Sequence, residues 1–137
     1  MTSTPACWPP VLASDPEVLG YLSDTTQVQK SRDQGRSVSL GGRLYYTFGD
    51  TFCQDSSSKW VIISNTCSFI ANQSKPLESS YLCIDSTGVA EPLLKLTDKE
   101  QQYQNANQGE RYTLWPFSGI VEISSGVGLM WYVLLGT

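Results

Sequence analysis

Two consecutive glycines, Gly41 and Gly42, lie between two short runs of residues typical of β-strands, 37–40 and 43–48. Glycine readily adopts the positive φ that the tightest two-residue turns require at both central positions, so this arrangement predicts a β-hairpin. A two-residue turn also sets the register of its strands, because the residues that flank it become partners. Each opposed pair of this hairpin is then expected to have residue numbers that sum to 83.

This register brings two acidic residues, Asp33 and Asp50, to opposite positions. Directly opposed residues share one face of the sheet, with Cβ atoms about 4.5–5.5 Å apart, and like charges there are destabilising. Two carboxyl groups so close can act as a pair, one protonated as general acid and one ionised. Glycoside hydrolases use such pairs, at about 5–5.5 Å for a retaining mechanism and about 6.5–9.5 Å for an inverting one.

Structural roles for the same residues are open alternatives. An aspartate next to glycine, as in Gly49-Asp50, is more often a turn or capping residue than a catalyst. A bulge at Gly49 would send the two aspartates to opposite faces. Arg32 and Arg36 flank Asp33, where a guanidinium would keep one carboxylate ionised or bind a sugar hydroxyl, or would simply be solvated.

The rest of the chain predicts further short strands and one helix. Thr97-Asp98-Lys99-Glu100 has the form of a capping box, which predicts a helix over 98–108 that is polar on every face and lies on the surface. Residues 1–31, with several prolines, predict an irregular lead-in with one helical turn at 14–17. Strands are expected at 60–63, 66–71, 81–84, 114–123 and 127–135, with turns at 76–80, 85–88 and 124–126. The predicted fold class is all-β, with order beginning near residue 32.

Composition excludes several classes of function. The chain has 137 residues, enough for one domain, and contains no histidine, which excludes Ser-His-Asp and Cys-His catalysis and any His-ligated metal site. Nine basic against thirteen acidic residues give a net charge of −4, so a nucleic-acid partner is not expected. No apolar stretch approaches the roughly 18–20 residues of a membrane span, so no membrane partner is expected. Neither a cofactor nor a metal is predicted.

The cellular compartment is not decided by the sequence. The four cysteines, Cys7, Cys53, Cys67 and Cys83, have no C-x-x-C spacing, which disfavours zinc and leaves two disulfides or four small buried thiols. Asn72-Gln73-Ser74 is an N-glycosylation acceptor, which is compatible with an extracellular protein, whereas residues 1–10 carry no secretory signal. The oligomeric state is also open.

An ordered set of short motifs resembles a fungal family of uncharacterised domains, which is itself similar to the five-bladed β-propellers related to bacterial endo-D-arabinanases. The resemblance covers about residues 30–135, and Phe-Gly-Asp-Thr at 48–51 is its most recognisable element. The motifs are Arg32-Asp33-Gln34-Gly35, the run from Gly41 to Phe52, Ser64-Asn65-Thr66, Lys75-Pro76-Leu77, the run from Leu114 to Gly119, and Gly126-Val127-Gly128.

The resemblance implies a glycoside hydrolase-like protein that acts on furanosidic, arabinan-type polysaccharide. It implies Asp33 and Asp50 as the catalytic pair, with either able to be the acid and Asp33 the favoured nucleophile or base. As substrate-binding residues we expect Arg32, Asn65, Trp115 and Ser118.

A complete five-bladed propeller needs about 40–60 residues per blade, so residues 32–137 would supply about two blades. The apolar run 129–135 would leave a bare edge strand, which also suggests an N-terminal fragment that is inactive alone. The alternatives are a non-catalytic carbohydrate-binding module or a truncated product without activity.

Overall fold

The computed structural model describes residues 14–107 and 109–136, and for residues 29 and 30 it describes only the backbone. Within these ranges the chain forms twelve strands and one helix, arranged in four sheets that are antiparallel except for one strand pair. The elements are β1 (Ser23–Asp24), β2 (Gln29–Arg32), β3 (Arg36–Leu40), β4 (Arg43–Phe48), β5 (Thr51–Gln54), β6 (Trp60–Ile63), β7 (Thr66–Ile70), β8 (Glu78–Tyr81), α1 (Asp98–Ala106), β9 (Tyr112–Pro116), β10 (Val121–Ser124), β11 (Val127–Leu129) and β12 (Tyr132–Gly136). The predicted all-β class is confirmed.

The hairpin predicted at the double glycine is present. β3 and β4 pair in the expected register, with opposed residue numbers that sum to 83. Gly41 and Gly42 have φ values of +58° and +74°, which an L side chain rarely adopts. A Cβ atom built on Gly35 would lie 3.5 Å from the ring of Phe48. The Phe48 ring therefore lies over Gly35, which has no side chain.

Three long strands are each interrupted once, so that a single sheet is bent into two. Residues 31–32 of β2 pair with β5 in the same register as β3 with β4, again with a sum of 83. The pairs β5–β6 and β4–β7 likewise share one register, with a sum of 114. The interruptions fall at 33–35, 49–50 and 64–65, which are neighbours across the sheet. We call this row of interruptions the bend line.

β8 extends the sheet beyond β7, and β1 adds to β8 in parallel. The turn predicted at 76–80 is present only at 76–77, because Ser79 and Ser80 belong to β8. Of the strand predicted at 81–84, only Tyr81 lies in a strand, and Ile84 forms an isolated bridge with Ala90. Serine favours turns because its hydroxyl competes for backbone partners, but here β1 and the residue after it supply those partners. Ser79 Oγ donates to the carbonyl of Ser23 at 2.9 Å, and Ser80 Oγ lies 2.6 Å from Thr25 Oγ1.

The last four strands form the second predicted hairpin. β9 pairs with β12 and β10 with β11, in antiparallel orientation. The interruptions at 117–120 and 130–131 divide the hairpin into two short sheets. The strands predicted at 114–123 and 127–135 are therefore confirmed in position but not as continuous elements.

Glu122 in β10 connects the two hairpins through one carboxylate oxygen. Its Oε1 accepts the N–H of Gly126 at 2.8 Å and the N–H of Gly41 at 2.9 Å. These hydrogen bonds hold the pKa of Glu122 below its usual value, and the bond from Gly126 contributes more than the bond from Gly41. The turn of the first hairpin therefore lies against the turn of the second.

The helix begins with the predicted capping box. Thr97 donates its N–H to Glu100 Oε2 at 2.7 Å, and Glu100 donates its N–H to Thr97 Oγ1 at 3.4 Å. The helix ends at Ala106, two residues earlier than expected, and none of its residues is buried. Within the described ranges, no helix has the length and apolar character needed to cross a membrane.

Three turns share one construction that begins with an aspartate: Asp24, Asp55 and Asp85. In each turn the carboxylate accepts the N–H groups two and four residues later and the hydroxyl two residues later. The fourth residue of each turn has a positive φ, between 57° and 85°. Hydrogen bonds with Ser57 and Lys59 lower the pKa of Asp55, and hydrogen bonds with Val89 and Thr87 lower that of Asp85.

The segment expected to be an irregular lead-in contains β1 and β2, so regular structure begins before residue 32. These strands pair with β8 and β5, which are distant in sequence, and local residue patterns carry little information about such partners. The helical turn expected at 14–17 is absent, because residues 15–22 have no regular structure. The predictions for residues 1–13, including Cys7, lie outside the described residues.

One cluster of buried residues packs beside the β2–β5–β6 sheet. Its members are Val28, Cys53, Tyr81, Val89 and Ala90, with Val61 and Ile63 packed against them. Cys67 is a buried free thiol, and Cys83 is an exposed one. Burial, with a smaller contribution from Cys83, raises the pKa of Cys67 to about 11, so its thiol stays protonated at neutral pH.

Candidate functional site

Asp33 and Asp50 meet at the bend line. The N–H of Asp33 donates to the carbonyl of Asp50 at 3.0 Å, and the N–H of Gly49 donates to the carbonyl of Asp33 at 3.1 Å. Two residues of one strand thus face one residue of the other, which is the hydrogen-bond arrangement of a β-bulge. The predicted pairing of the two aspartates is present in the backbone. The bulge at Gly49 is local and causes no net slip, because the residue pairs on both sides of it keep the sum of 83.

Gly49 allows the Asp33 side chain to lie directly against the neighbouring strand. Gly49 is buried, and a Cβ atom built on it would collide with Asp33 Oδ1. Gln34 would also lie within 3.3 Å of that atom. A side chain at position 49 would therefore displace the Asp33 carboxylate, which makes this glycine part of the site's construction.

Asp33 lines an open cavity of about 350 Å³. The wall of this cavity includes Tyr46 and Phe48, which alternate along β4 and whose rings stack with centroids 6.5 Å apart. Gly35 and Arg32 also contribute to the lining. We call it the aspartate cavity. Tyr46 and Phe48 are two residues apart in β4, so both side chains lie on one face of the strand.

The Arg32 guanidinium is held by protein groups. It lies 4.1 Å above the ring of Phe48, and it donates to the carbonyl of Leu22 at 3.1 Å and to the Tyr81 hydroxyl at 3.5 Å. Burial raises the pKa of Tyr81, while the hydrogen bond with Arg32 opposes that rise. No ion pair between either flanking arginine and Asp33 is present in the described part of the chain.

Trp115 of β9 reaches the other aspartate. Its indole Nε1–H donates to Asp50 Oδ1 at 3.1 Å, across 65 positions of sequence. Arg36 makes a second link between the same elements by donating to the carbonyl of Pro116 at 3.2 Å. The structure thus brings Trp115 to the bend line and gives its indole a polar contact with Asp50.

Asn65 is a buried residue in the interruption between β6 and β7, and its side-chain amide makes several hydrogen bonds. Its Nδ2 donates to the carbonyl of Leu114 at 2.9 Å and to that of Leu94 at 3.3 Å, and its Oδ1 accepts the N–H of Leu94 at 2.5 Å. Only 1% of the residue is exposed. Asn65 therefore joins β9 and the segment before α1 to the sheet.

Ser118, the remaining predicted substrate-binding residue, lies between β9 and β10. Its Oγ donates to the carbonyl of Gly119 at 2.7 Å and accepts the N–H of Trp131 at 2.9 Å. These contacts connect the two interruptions of the second hairpin. Ser118 is separate from the aspartate cavity, whose lining does not include it.

Among the described residues, no group of three or more His, Cys, Asp and Glu side chains is placed to hold a metal ion. The functional groups at or beside the bend line are two carboxyl groups, one guanidinium, one indole, one phenol and one phenyl ring. They belong to Asp33, Asp50, Arg32, Trp115, Tyr46 and Phe48. Such groups are able to bind hydroxyl-rich ligands and to transfer protons.

Comparison with protein-family models, with curated proteins and with solved structures finds no match to this chain. The functional argument therefore rests on the residues of the bend line themselves.

Proposed function

We propose that this chain carries the acid–base pair of a glycoside hydrolase that acts on furanosidic, arabinan-type polysaccharide, with Asp33 and Asp50 as the two carboxyl groups. One carboxyl protonates the leaving oxygen of the glycosidic bond. In a retaining mechanism the other carboxylate bonds to the anomeric carbon as the glycosidic C–O bond breaks, and a water molecule deprotonated by the first carboxylate then releases the sugar and restores both groups. In an inverting mechanism the other carboxylate deprotonates the water that displaces the leaving group, and both groups then exchange protons with solvent. Proton transfers of this kind contribute about 10²- to 10⁴-fold to a rate.

The observation that carries this proposal is the backbone pairing of the two aspartates, in which the N–H of Asp33 donates to the carbonyl of Asp50 at 3.0 Å. This pairing lies where three neighbouring strands are interrupted. A bulge costs ladder hydrogen bonds and is often found beside an active site, where it re-aims side chains. The aromatic wall of the aspartate cavity supports a sugar ligand, because C–H-rich ring faces pack on aromatic surfaces while hydroxyls bind the polar groups.

The test is the removal of each acid in the full-length protein. We expect Asp33→Asn and Asp50→Asn each to lower the release of reducing ends from arabinan by at least about 10²-fold, because Asn neither donates nor accepts a proton at these steps. Asp15→Asn, a change at an exposed aspartate outside all strands, is the matched control and is expected to keep full activity. Circular dichroism verifies that each variant is folded. Wild-type turnover by both single variants would refute the catalytic assignment.

A second candidate function is saccharide binding without hydrolysis. The engagement of Asp50 by Trp115 and of Arg32 by Leu22 and Tyr81 supports it, since these side chains are held by protein contacts as in a binding wall. Arabino-oligosaccharide binding that survives the double change of Asp33 and Asp50 to Asn, with no reducing ends released by the wild type, would favour this function.

A further inference from the structure

A second cavity of about 420 Å³ lies where β9, the start of α1 and the bend line meet. We call it the helix-side cavity. The residues that matter for its chemistry are Ser64, Leu94, Lys95, Asp98, Gln101 and Tyr112. None of them lines the aspartate cavity, so the two cavities are separate in composition.

Asp98 is an exposed acidic residue in the lining of this cavity. Among the described residues, no hydrogen bond or ion pair involves its carboxylate, although it belongs to the first turn of α1. Two neighbouring polar groups are already engaged. Lys95 Nζ pairs with Glu91 at 2.9 Å, and Gln101 Nε2 donates to Asn105 at 3.0 Å, which leaves the carbonyl of the Gln101 amide as an acceptor.

The remaining walls are apolar or aromatic. Leu94 and Leu114 contribute aliphatic surface, and the Tyr112 ring is supported by stacking on Tyr103, with centroids 5.6 Å apart and planes 18° apart. A cavity with apolar walls, acceptor groups and only one cation, itself paired, suits a neutral ligand that offers many hydroxyl donors. Among common biological ligands this description fits a saccharide better than a phosphate or a carboxylate.

The helix-side cavity adjoins the proposed catalytic residues through the sheet. The register shared by β5–β6 and β4–β7 aligns Ser64 with Asp50 and Asn65 with Gly49. Ser64 and Asn65 both line the helix-side cavity, and Asn65 also binds the backbone of Leu94 and Leu114 in its wall. One row of adjacent residues thus leads from the two aspartates to this second cavity.

We propose that the helix-side cavity is a saccharide subsite, in which Asp98 and Gln101 accept hydrogen bonds from sugar hydroxyls and Tyr112 contributes a packing surface. The proposal rests on the proposed function for its ligand class, a short furanosidic oligosaccharide. It assigns Asp98 to binding, since that carboxylate contacts ligand hydroxyls and takes no part in bond cleavage.

The test is titration of the full chain with α-1,5-linked arabinotriose, followed by calorimetry and by NMR signals of residues near position 98. We expect Asp98→Ala to weaken binding by about tenfold to a hundredfold, since hydrogen bonds to a charged group are among the stronger ones, and Gln101→Ala to weaken it less. Lys99→Ala is the matched control: it is an adjacent, exposed position of the same helix that does not line the cavity. It is expected to leave binding unchanged within about twofold.

The outcomes separate this subsite from the proposed function. Asp33→Asn is expected to lose hydrolysis, while the trisaccharide binding that remains still depends on Asp98. Binding that depends on Asp98 in a protein that never cleaves arabinan would retain the subsite and remove the catalytic proposal. No trisaccharide binding by the wild type, or equal affinity of the wild type, Asp98→Ala and Gln101→Ala, would overturn the subsite, even if cleavage depends on Asp33 and Asp50.

Discussion

Asn65 shows how much of this molecule is organised by single buried polar residues. Its amide satisfies backbone groups of two segments that are 29 and 49 positions away in sequence. A buried N–H or C=O without a partner costs about 1–3 kcal/mol, so a residue that satisfies several such groups contributes more to stability than its size suggests.

We expect Asn65→Ala to lower the free energy of unfolding by about 3 kcal/mol, because the backbone groups of Leu94 and Leu114 would lose their partner in a water-excluded place. Urea denaturation followed by tryptophan fluorescence measures this. Asn105→Ala, on the exposed surface of α1, is the control and is expected to change stability by less than about 0.5 kcal/mol. A similar small loss for both variants would show that Asn65 has no such organising role.

Sequence reasoning predicted the relation between Asp33 and Asp50 because both residues belong to one hairpin whose register the double glycine determines. It did not predict the hydrogen bonds of Trp115 to Asp50 or of Asn65 to Leu114, which join residues at least 49 positions apart. Such contacts depend on how sheets pack, and strand propensities or turn residues carry no information about packing partners.

At the scale of elements, short sequence patterns predicted the elements that are stabilised by hydrogen bonds between residues close in sequence. The capping box and the two hairpin turns place their hydrogen bonds within a few residues, and all three are observed. β1, β2 and β8 depend on distant partners, and their positions differ from the prediction. The bend also escaped prediction, because each interruption looks like an ordinary loop until its neighbours are known.

The aspartate turns make stability depend on pH in acid. The folded pKa values of Asp55 and Asp85 lie below that of an unfolded aspartate, about 3.9, so the stabilisation is complete above that value. It is lost as the pH falls through the lower, folded values, because protonation removes the charged acceptor.

We therefore expect the urea concentration at which half of the protein is unfolded to decrease as the pH is lowered from about 4 to about 2.5. The double variant Asp55→Asn with Asp85→Asn should show a flatter decrease, since Asn retains an acceptor but does not titrate in this range. The control is Asp15→Asn, at a residue outside the turns. An acid slope identical in the double variant and the wild type would assign the effect to other carboxyl groups.

At the scale of the whole molecule, the two halves of the chain differ in how well they are covered. β7 has four buried residues and β4, β5, β8 and β9 have two each, whereas β10 and β11 have none and expose large apolar side chains to solvent. The exposed apolar residues of this half are Phe117, Val121, Ile123, Val127, Leu129, Trp131, Tyr132 and Leu134. An apolar surface of this extent favours association between copies of a protein. The propeller architecture expected from the resemblance remains a prediction.

We expect the paired change Val121→Lys with Leu129→Lys to raise the concentration at which the protein stays monomeric, since these residues are cross-strand partners and two charges would interrupt the apolar surface. Light scattering after size-exclusion chromatography measures this. Val18→Lys, at an isolated apolar residue that is 93% exposed, is the matched control and should have little effect. Identical association of all three proteins would show that another surface is responsible.

The unchanged register on both sides of the bend line has a consequence for how the chain tolerates changes in length. Each of the three interrupted strands keeps one register across its interruption. The loss of a single residue at 33–35, 49–50 or 64–65 would therefore shift that strand by one residue on one side of the bend line and turn its side chains there to the opposite face. An insertion in the outer turn 55–59 is expected to disrupt only the local hydrogen bonds of Asp55. An insertion between the double glycine and Asp50 is expected to be far more damaging, because it would change the strand register.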